Sequence, residues 1–307
     1  MSYSIVIPAH NESARLASGF ARLAPVLDQL GADTQVVIVD DGSSDNTLAT
    51  AREVYGHLEH LLAVRQEPNL GKGAAVRLGM GLASGSRILV ADADMAINPR
   101  HFPDMLAALD DVDVAPGSRV EGRRVRYDSF VRNVASDVFH AFVHHYTGLT
   151  LRDTQCGAKA FRAGPARVLA LLATTNGFAY DAEILSLALR LGYSMRPVSV
   201  TWEDVTGSTV NMGADAIAML RDLRRLARHD YHNPAVEVDL AVAPADLSRA
   251  MAEVRAHGLV LARGSANGVV VLPRDGALGG AGIAAAVGGR LRTTDLAELR
   301  GRELVVL

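Results

Sequence analysis

The chain of 307 residues has a single cysteine, Cys156, which excludes an internal disulfide framework and suits a reducing compartment. Aromatic residues make up only 5%, and no aromatic platform for stacking single-stranded nucleic acid is evident. With a formal net charge of -3, the overall balance gives no pull toward nucleic acid either. No apolar run approaches the roughly 20 residues that cross a bilayer. The sequence opens directly into YSIVIPAHNE, without a basic, cleavable leader, so a cytoplasmic protein without a membrane span is expected. Lysine is nearly missing. Of 31 basic residues only Lys72 and Lys159 are lysines, an arginine bias that fits genome composition, yet both fall in the unusual stretches NLGKGAA and DTQCGAKAF. Two nucleotide signatures are also absent. No G-x-G-x-x-G follows the first apolar run, which disfavours a dinucleotide-dependent oxidoreductase, and NLGKGAA lacks the G-x-x-x-x-G-K-[ST] spacing of a phosphate loop.

What the chain does contain is a rhythm. Up to about residue 115, short β-branched runs (3–9, 34–41, 60–66, and RILV from 87) alternate with helical segments near 12–30, 45–56 and 71–84. That order predicts a mostly parallel sheet covered by helices on both faces. An arginine-rich connection follows at 117–133, then helices through VASDVFHAFVHHYTG and AYDAEILSLALRLG, a strand in SMRPVSVTWED, and a long amphipathic helix in ADAIAMLRDLRRLARH. On that last helix Arg221, Arg224, Arg225 and Arg228 share one face beside Ile217, Leu220, Leu223 and Leu226, a pattern suited to peripheral contact with an anionic membrane or to ordinary core packing. Near residue 233 the pattern restarts as βαββαβ, the order of a ferredoxin-like unit. Two domains are therefore expected: 1–232, with a first half to about 116 and a second from 117, and a small α+β domain over 233–307 that suits oligomerisation or partner contacts.

In parallel α/β sheets, ligands bind beyond the carboxyl ends of the strands. There the sequence places Asn11 and Glu12, then Asp40 and Asp41, then Asp92 and Asp94. Two carboxylates at i and i+2 on a strand point the same way and repel unless a hard cation such as Mg2+ or Mn2+ joins them, usually with substrate phosphates. The plain alternative is that Asp94 caps the following turn and Asp92 is solvated. Asp45 is explained by helix capping, whereas an acid pair beside buried strand residues suits a base or ribose. His140, His144 and His145 fall at helical spacing but without zinc-ligand partners. Trp202 suits packing beneath the site, with stacking on a sugar as the alternative, and Cys156 has no neighbour that marks it as a nucleophile.

IVIPAHNE, VVIVDDGSSDNT, NLGKGAA and VADADM, in this order, resemble the donor half of family 2 inverting glycosyltransferases with the glycosyltransferase-A fold. DTQCGAKAF, YDAEIL and WEDVTGS further resemble the branch of dolichyl-phosphate glucosyltransferases and polyprenyl-phosphate sugar synthases. The resemblance covers about residues 3–210. It implies a Rossmann-like catalytic domain that moves a hexose from UDP-glucose or GDP-mannose to a polyprenyl phosphate, with Mg2+ or Mn2+. It implies further that Pro8, Asn11, Glu12, Asp40, Asp41, Lys72 and Asp92 hold the donor and that Asp94, with Asp92, holds the metal. Arg119, Arg124, Arg126, Arg132 and Gln155 would then hold the acceptor, with Asp153, Arg132 and Lys159 at the reacting centre. His10 stands where the family often has an aromatic residue. Membrane anchors common in relatives are missing, which keeps a soluble acceptor as the alternative and a non-catalytic nucleotide-sugar sensor as a third reading. A phosphate acceptor needs no strong general base, since its second pKa near 6 leaves it largely dianionic at neutral pH. A hydroxyl acceptor needs one, with Asp153 and Asp181 as candidates.

Overall fold

The structure is a computed structural model that describes residues 1–119, 143–145, 148–203, 221, 222 and 224, together with the strand backbones 235–239, 258–263, 268–273, 290–294 and 304–306. The chain divides into two compact units, one of Met1–Leu189 with Ser194–Arg228 and one of His229–Leu307 with Arg190–Tyr193.

The first unit is built on β1 (Tyr3–Ala9), β2 (Thr34–Asp41), β3 (Leu61–Gln66), β4 (Arg87–Val90), β5 (Val114–Ser118), β6 (Lys159–Arg162) and β7 (Val198–Ser199), in the sheet order β3-β2-β1-β4-β6-β5-β7. Strands β1 to β4 are mutually parallel where they pair, β6 runs antiparallel between β4 and β5, and β7 pairs parallel with β5. The expected mostly parallel sheet is therefore present, with one inserted antiparallel strand that the sequence did not signal. KAFR is only four residues long and has no alternation to read.

The unbroken apolar runs follow from burial on both faces. Ile5, Ile7, Val36, Ile38 and Leu89 pack with Leu16, Leu23, Val26 and Leu27 of α1 (Leu16–Leu30), Ala51 and Tyr55 of α2 (Thr47–Tyr55), and Phe102, Met105 and Leu106 of α4 (Phe102–Ala108). On the opposite face α3 (Lys72–Leu82) lies so close that a Cβ on Gly79 would meet Val6 Cγ1 at 2.3 Å, and α5 (Ala163–Leu172) packs beside α3. Each fully buried aliphatic side chain contributes about 1.5–3 kcal/mol, so this doubly covered core carries most of the unit's stability. The strand expected over SMRPVSVTWED is reduced to Val198–Ser199 plus single bridges from Met195 to Val114 and from Trp202 to Ile97. Pro197 has no N–H to offer a ladder, which breaks the run. α6 (Tyr180–Arg190) completes the described helices of eight or more residues.

In the second unit β8 (Ala235–Asp239), β9 (Gly258–Arg263), β10 (Gly268–Pro273), β11 (Arg290–Thr294) and β12 (Leu304–Val306) form an antiparallel sheet in the order β11-β8-β10-β9-β12. The first four strands have the order of a ferredoxin-like sheet. The helices expected at 245–257 and 278–288 lie outside the described residues, as do most of the helices expected near 134–148 and 214–229. Among the described residues, no helix is long and apolar enough to cross a membrane.

Candidate active site

The chain order runs outward from β1 to β2 and β3, then returns to place β4 on β1's other side. At that reversal a crevice opens beyond the strand ends. A cavity of about 420 Å³ lies there, lined by Pro8, His10, Glu12, Arg15, Asp41, Asn69, Lys72, Asp92, Asp94 and Phe178, among others. The three acidic clusters are brought together by register: Ala9 pairs with Asp40, and Ala91 N–H donates to Val6 O, which sets the Asp92 turn beside the end of β1.

Asp92 and Asp94 both line the cavity. Asp94 Oδ1 accepts from Ala96 N–H at 3.0 Å, the turn cap that a structural reading predicts, while Oδ2 lies 3.8 Å from Arg15 Nη1. Burial, then the nearby Asp92 charge, pushes the Asp94 carboxyl above its ordinary range. Glu12 is raised in the same way, by burial and then by Asp94 and Asp92, against the Arg15 guanidinium. Arg15 Nη2 donates to Glu12 Oε1 at 2.6 Å, whereas Glu12 Oε2 is buried with no hydrogen-bond partner. Lys72, at the start of α3, places Nζ 2.9 Å from Asp92 Oδ1 and 3.7 Å from Asp181 Oδ2. Although burial works against its charge, Asp181 and Asp92 hold the ammonium above its ordinary range. Glu12, Asp92 and Asp94 thus line the cavity together with Arg15 and Lys72. Among the described residues no three or more metal-ligating side chains converge, so a cation on Asp92 and Asp94 would complete its shell with substrate phosphates and water.

The other strand-end residues act on the backbone. Asp41 lines the cavity, yet Oδ1 accepts from Leu70 N–H at 2.9 Å and Gln66 Nε2 at 2.7 Å, and Oδ2 accepts from Gly71 N–H at 2.8 Å. Asp40 is fully buried outside the cavity lining; Oδ1 accepts from Ser43 N–H at 3.1 Å, and Oδ2 is 3.6 Å from Arg65 Nη1. Asn11 adopts a left-handed φ of 55°, which asparagine tolerates, and Oδ1 accepts from Ser44 N–H at 2.9 Å. Asp45 caps α2 through Thr47 N–H at 2.9 Å. Against the cost of burial, its bonds from Thr47 and Ser13 lower the carboxyl to about 2. Two glycines have steric causes. A Cβ on Gly71 (φ 103°) would sit 2.5 Å from Asn176 O, so NLGKGAA owes its glycine to packing against the 175–176 loop. A Cβ on Gly157 would sit 1.9 Å from Asp92 Oδ2, so the Asp92 carboxylate occupies space that only glycine leaves.

Arg119, Asp153, Lys159 and Asp181 are not among the residues that line this cavity, and they are more tightly paired. Asp153 is buried and takes a two-pronged contact from Arg119, Nε to Oδ2 at 2.7 Å and Nη2 to Oδ1 at 2.8 Å, with Arg119 N–H adding a third bond. Burial alone would raise the Asp153 carboxyl, but these contacts hold it below its ordinary value. Lys159 is buried; Nζ donates to Cys156 O and to Asp181 Oδ1, both at 2.6 Å. Asp181 is in turn kept below its ordinary value, against burial, by Lys159 and Lys72. The two lysines of the sequence therefore share one carboxylate. Gln155 Nε2 is buried without a partner. Cys156 is fully buried and its thiol is pushed up to about 11, chiefly by burial, which makes it packing rather than a nucleophile. Trp202 is 37% exposed, its backbone bridged to Ile97, rather than packed beneath the site. His144 and His145 are exposed, and His144 Nδ1 bonds Leu149 O at 2.9 Å. Arg124, Arg126 and Arg132 lie outside the described residues. Arg15 and Phe178 were not singled out by the sequence. A basic residue one helical turn after the strand-end Glu12 was the available signal for Arg15, and Phe178 had none.

A crevice at the switch point of a mostly parallel sheet, with acids and an ammonium convergent in it, defines a nucleotide-handling α/β transferase. Residues 4–169 match the family model described as glycosyl transferase family 2, and the chain belongs to that family. It is 34% identical to dolichyl-phosphate beta-glucosyltransferase of Drosophila melanogaster, over 73% of each chain, and 33% identical to the Saccharomyces cerevisiae protein of that name, over 72% of each. An undecaprenyl-phosphate 4-deoxy-4-formamido-L-arabinose transferase of Proteus mirabilis is 32% identical over 52% of this chain and 48% of its own. Among solved structures, glucosyl-3-phosphoglycerate synthase of Mycobacterium tuberculosis, in complex with Mn2+, UDP-glucose and phosphoglyceric acid, is similar in fold, with a TM-score of 0.56 and 20% identity over 76% of this chain and 82% of that one.

Proposed function

We propose that the protein transfers a hexose from a nucleotide diphosphate sugar, UDP-glucose or GDP-mannose, to a polyprenyl phosphate by a metal-dependent, inverting displacement. The observation that carries the acceptor class is the state of the two candidate bases. Asp153 is locked to Arg119, and Asp181 lies between two lysines, so both carboxylates are committed as anions in ion pairs. A hydroxyl nucleophile needs a base, whereas a phosphate monoester arrives deprotonated. The names of the relatives, which act on dolichyl or undecaprenyl phosphate, support the same class.

In this reading an acceptor phosphate oxygen attacks the anomeric carbon, the bond to the donor diphosphate breaks, and configuration inverts. A single displacement needs orientation and charge stabilisation on the leaving group. The all-oxygen pair Asp92 and Asp94 fits a hard divalent cation, and Glu12 Oε2, buried and unpartnered, adds a further uncommitted oxygen nearby. Bound there, Mg2+ or Mn2+ would neutralise the departing diphosphate. Lys72 meets the same charge from the start of α3. Pro8, Glu12, Asp41 and Asn69 shape the nucleotide end of the cavity, while Asp40 and Asn11 hold the turns beneath it. Arg124, Arg126 and Arg132 are proposed to grip the acceptor phosphate. Residues 233–307 are proposed to fold on their own and to mediate oligomerisation or partner contacts, and the basic face that includes the exposed Arg221 and Arg224 to touch an anionic membrane from the cytoplasmic side.

The test offers labelled UDP-glucose or GDP-mannose with polyprenyl phosphate, polyprenol and small phosphorylated or sugar acceptors in parallel. Transfer to the lipid phosphate alone is expected. Transfer to a soluble, non-phosphorylated acceptor with none to the lipid phosphate overturns this reading.

A further inference from the structure

The four charges Asp92, Lys72, Asp181 and Lys159 form an alternating row that runs from the cavity into the protein. Its steps are 2.9 Å from Asp92 Oδ1 to Lys72 Nζ, 3.7 Å from Lys72 Nζ to Asp181 Oδ2, and 2.6 Å from Asp181 Oδ1 to Lys159 Nζ. The inner end is rigid. Lys159 is buried on β6 and tied also to Cys156 O, and Asp181 is buried in the first turn of α6. The outer end is loose, with Asp92 38% exposed and Lys72 suspended between two carboxylates on different elements. An ammonium shared by two anions is divided between them according to what else each one holds. Asp181 is already half committed to Lys159, so Lys72 lies nearer Asp92.

We propose that Asp181 is a positioning residue that sets, through Lys72, how strongly the Asp92 carboxylate is available to a divalent cation. The inference rests on reading Asp92 and Asp94 as the cation's ligands. A cation on Asp92 would compete with Lys72 for the same carboxylate. Asp181 gives the displaced ammonium a second anion to turn to, and Lys159 limits how much of that anion is free. The row therefore works as a see-saw, and substitutions at its two inner members move cation binding in opposite directions. A purely structural role for the buried Asp181–Lys159 pair would make both substitutions loosen the site together.

The experiment titrates the full chain with Mn2+ alone, followed by the paramagnetic resonance signal of the free ion, with thermal melting as a check on folding. Asp181→Asn is expected to weaken Mn2+ binding on the order of fivefold, because Lys72 then falls wholly to Asp92. Lys159→Met is expected to tighten it by about the same factor, and Lys72→Met to tighten it further. The deciding comparison is a double-substitution cycle. In the Lys72→Met background, the effects of Asp181→Asn and Lys159→Met should shrink to less than about twofold, since the intermediary is gone. Undiminished effects in that background show a direct long-range charge effect and overturn the proposal. So do shifts of the same sign from Asp181→Asn and Lys159→Met. If Asp181→Asn fails to fold, the Lys159→Met and Lys72→Met arms alone carry the test, and Lys159→Met must lose its effect once Lys72 is replaced. Failure of the unsubstituted protein to bind Mn2+ overturns the ligand reading beneath this one, whereas binding that the variants do not shift overturns only the role of Asp181.

Discussion

The charged residues that line the cavity and the ion pairs buried away from it are both made of acids and bases, yet they are assembled in opposite ways. Along the cavity Glu12, Asp92 and Asp94 outnumber Arg15 and Lys72, one contact is as long as 3.8 Å, and burial pushes the Glu12 and Asp94 carboxyls up, helped by Asp94 and Asp92 on Glu12 and by Asp92 on Asp94. Among the buried pairs each acid has a close base, Arg119 on Asp153 at 2.7 Å and Lys159 on Asp181 at 2.6 Å with Lys72 shared at 3.7 Å, and both carboxyls are pushed down. An excess of negative charge held together in a cavity is an arrangement that a cation relieves. A neutralised, hydrogen-bonded pair is an arrangement that a cation or proton can only disturb. The comparison separates side chains that wait for a ligand from those that hold the frame.

Four expectations would break or sharpen that contrast. The largest concerns Asp94→Ala, which removes a waiting ligand: transfer should fall by at least about a hundredfold, while the melting temperature of the metal-free protein stays level or rises. Initial rates at saturating donor and a thermal melt measure the two effects. Asp153→Asn should do the reverse to the fold, costing about 3 kcal/mol in urea unfolding, because the buried carboxylate loses its charge and with it the two-pronged ion pair to Arg119. Next is Gly157→Ala, whose methyl group must displace the Asp92 carboxylate. Mn2+ binding should weaken about tenfold, with little change in melting temperature. A drop of many degrees with unchanged Mn2+ binding would make Gly157 part of the frame instead.

The smallest effect is the sign of the pH dependence. Asp94 has a folded pKa above its unfolded value of about 3.9, so its ionisation disfavours folding. That cost is present in full above the raised value and vanishes as pH falls below the unfolded one. Asp153 has a folded pKa below its unfolded value, so it stabilises the fold above about pH 4 and loses this as pH falls through the lowered value. In metal-free protein, urea midpoints from pH 7 to pH 4 should show the benefit of Asp94→Asn shrinking while the deficit of Asp153→Asn persists. Parallel curves for the two variants would erase the distinction between the halves.

The cavity lining was legible in the sequence because its acids follow strands whose burial on both faces leaves unbroken apolar runs. Strands 3–9 and 34–41 have those bounds in the structure, and Asp41, Asp92 and Asp94 follow as the polar residues at their ends and at that of β4. The buried ion pairs were less legible, since their elements are short and their partners are far apart in sequence. β6 is four residues of KAFR between two strands that it opposes, and nothing local announces an antiparallel insertion. Lys72 and Lys159 stood out as the only lysines, but their meeting on Asp181 depends on α3, β6 and α6 converging in space. NLGKGAA lacks the spacing of a phosphate loop, and what its Gly71 does, making room for the Asn176 carbonyl of a distant loop, has no local signal.

The measurement that tests the central claim most directly is calorimetry of UDP-glucose and GDP-mannose against the protein, in Mn2+ and then in EDTA, repeated with Asp94→Ala. The account predicts that one of the two donors binds at least about tenfold more tightly with Mn2+, and that the gain disappears in Asp94→Ala. Equal affinity in Mn2+ and in EDTA, with Asp94→Ala indistinguishable from the unsubstituted protein, would contradict it.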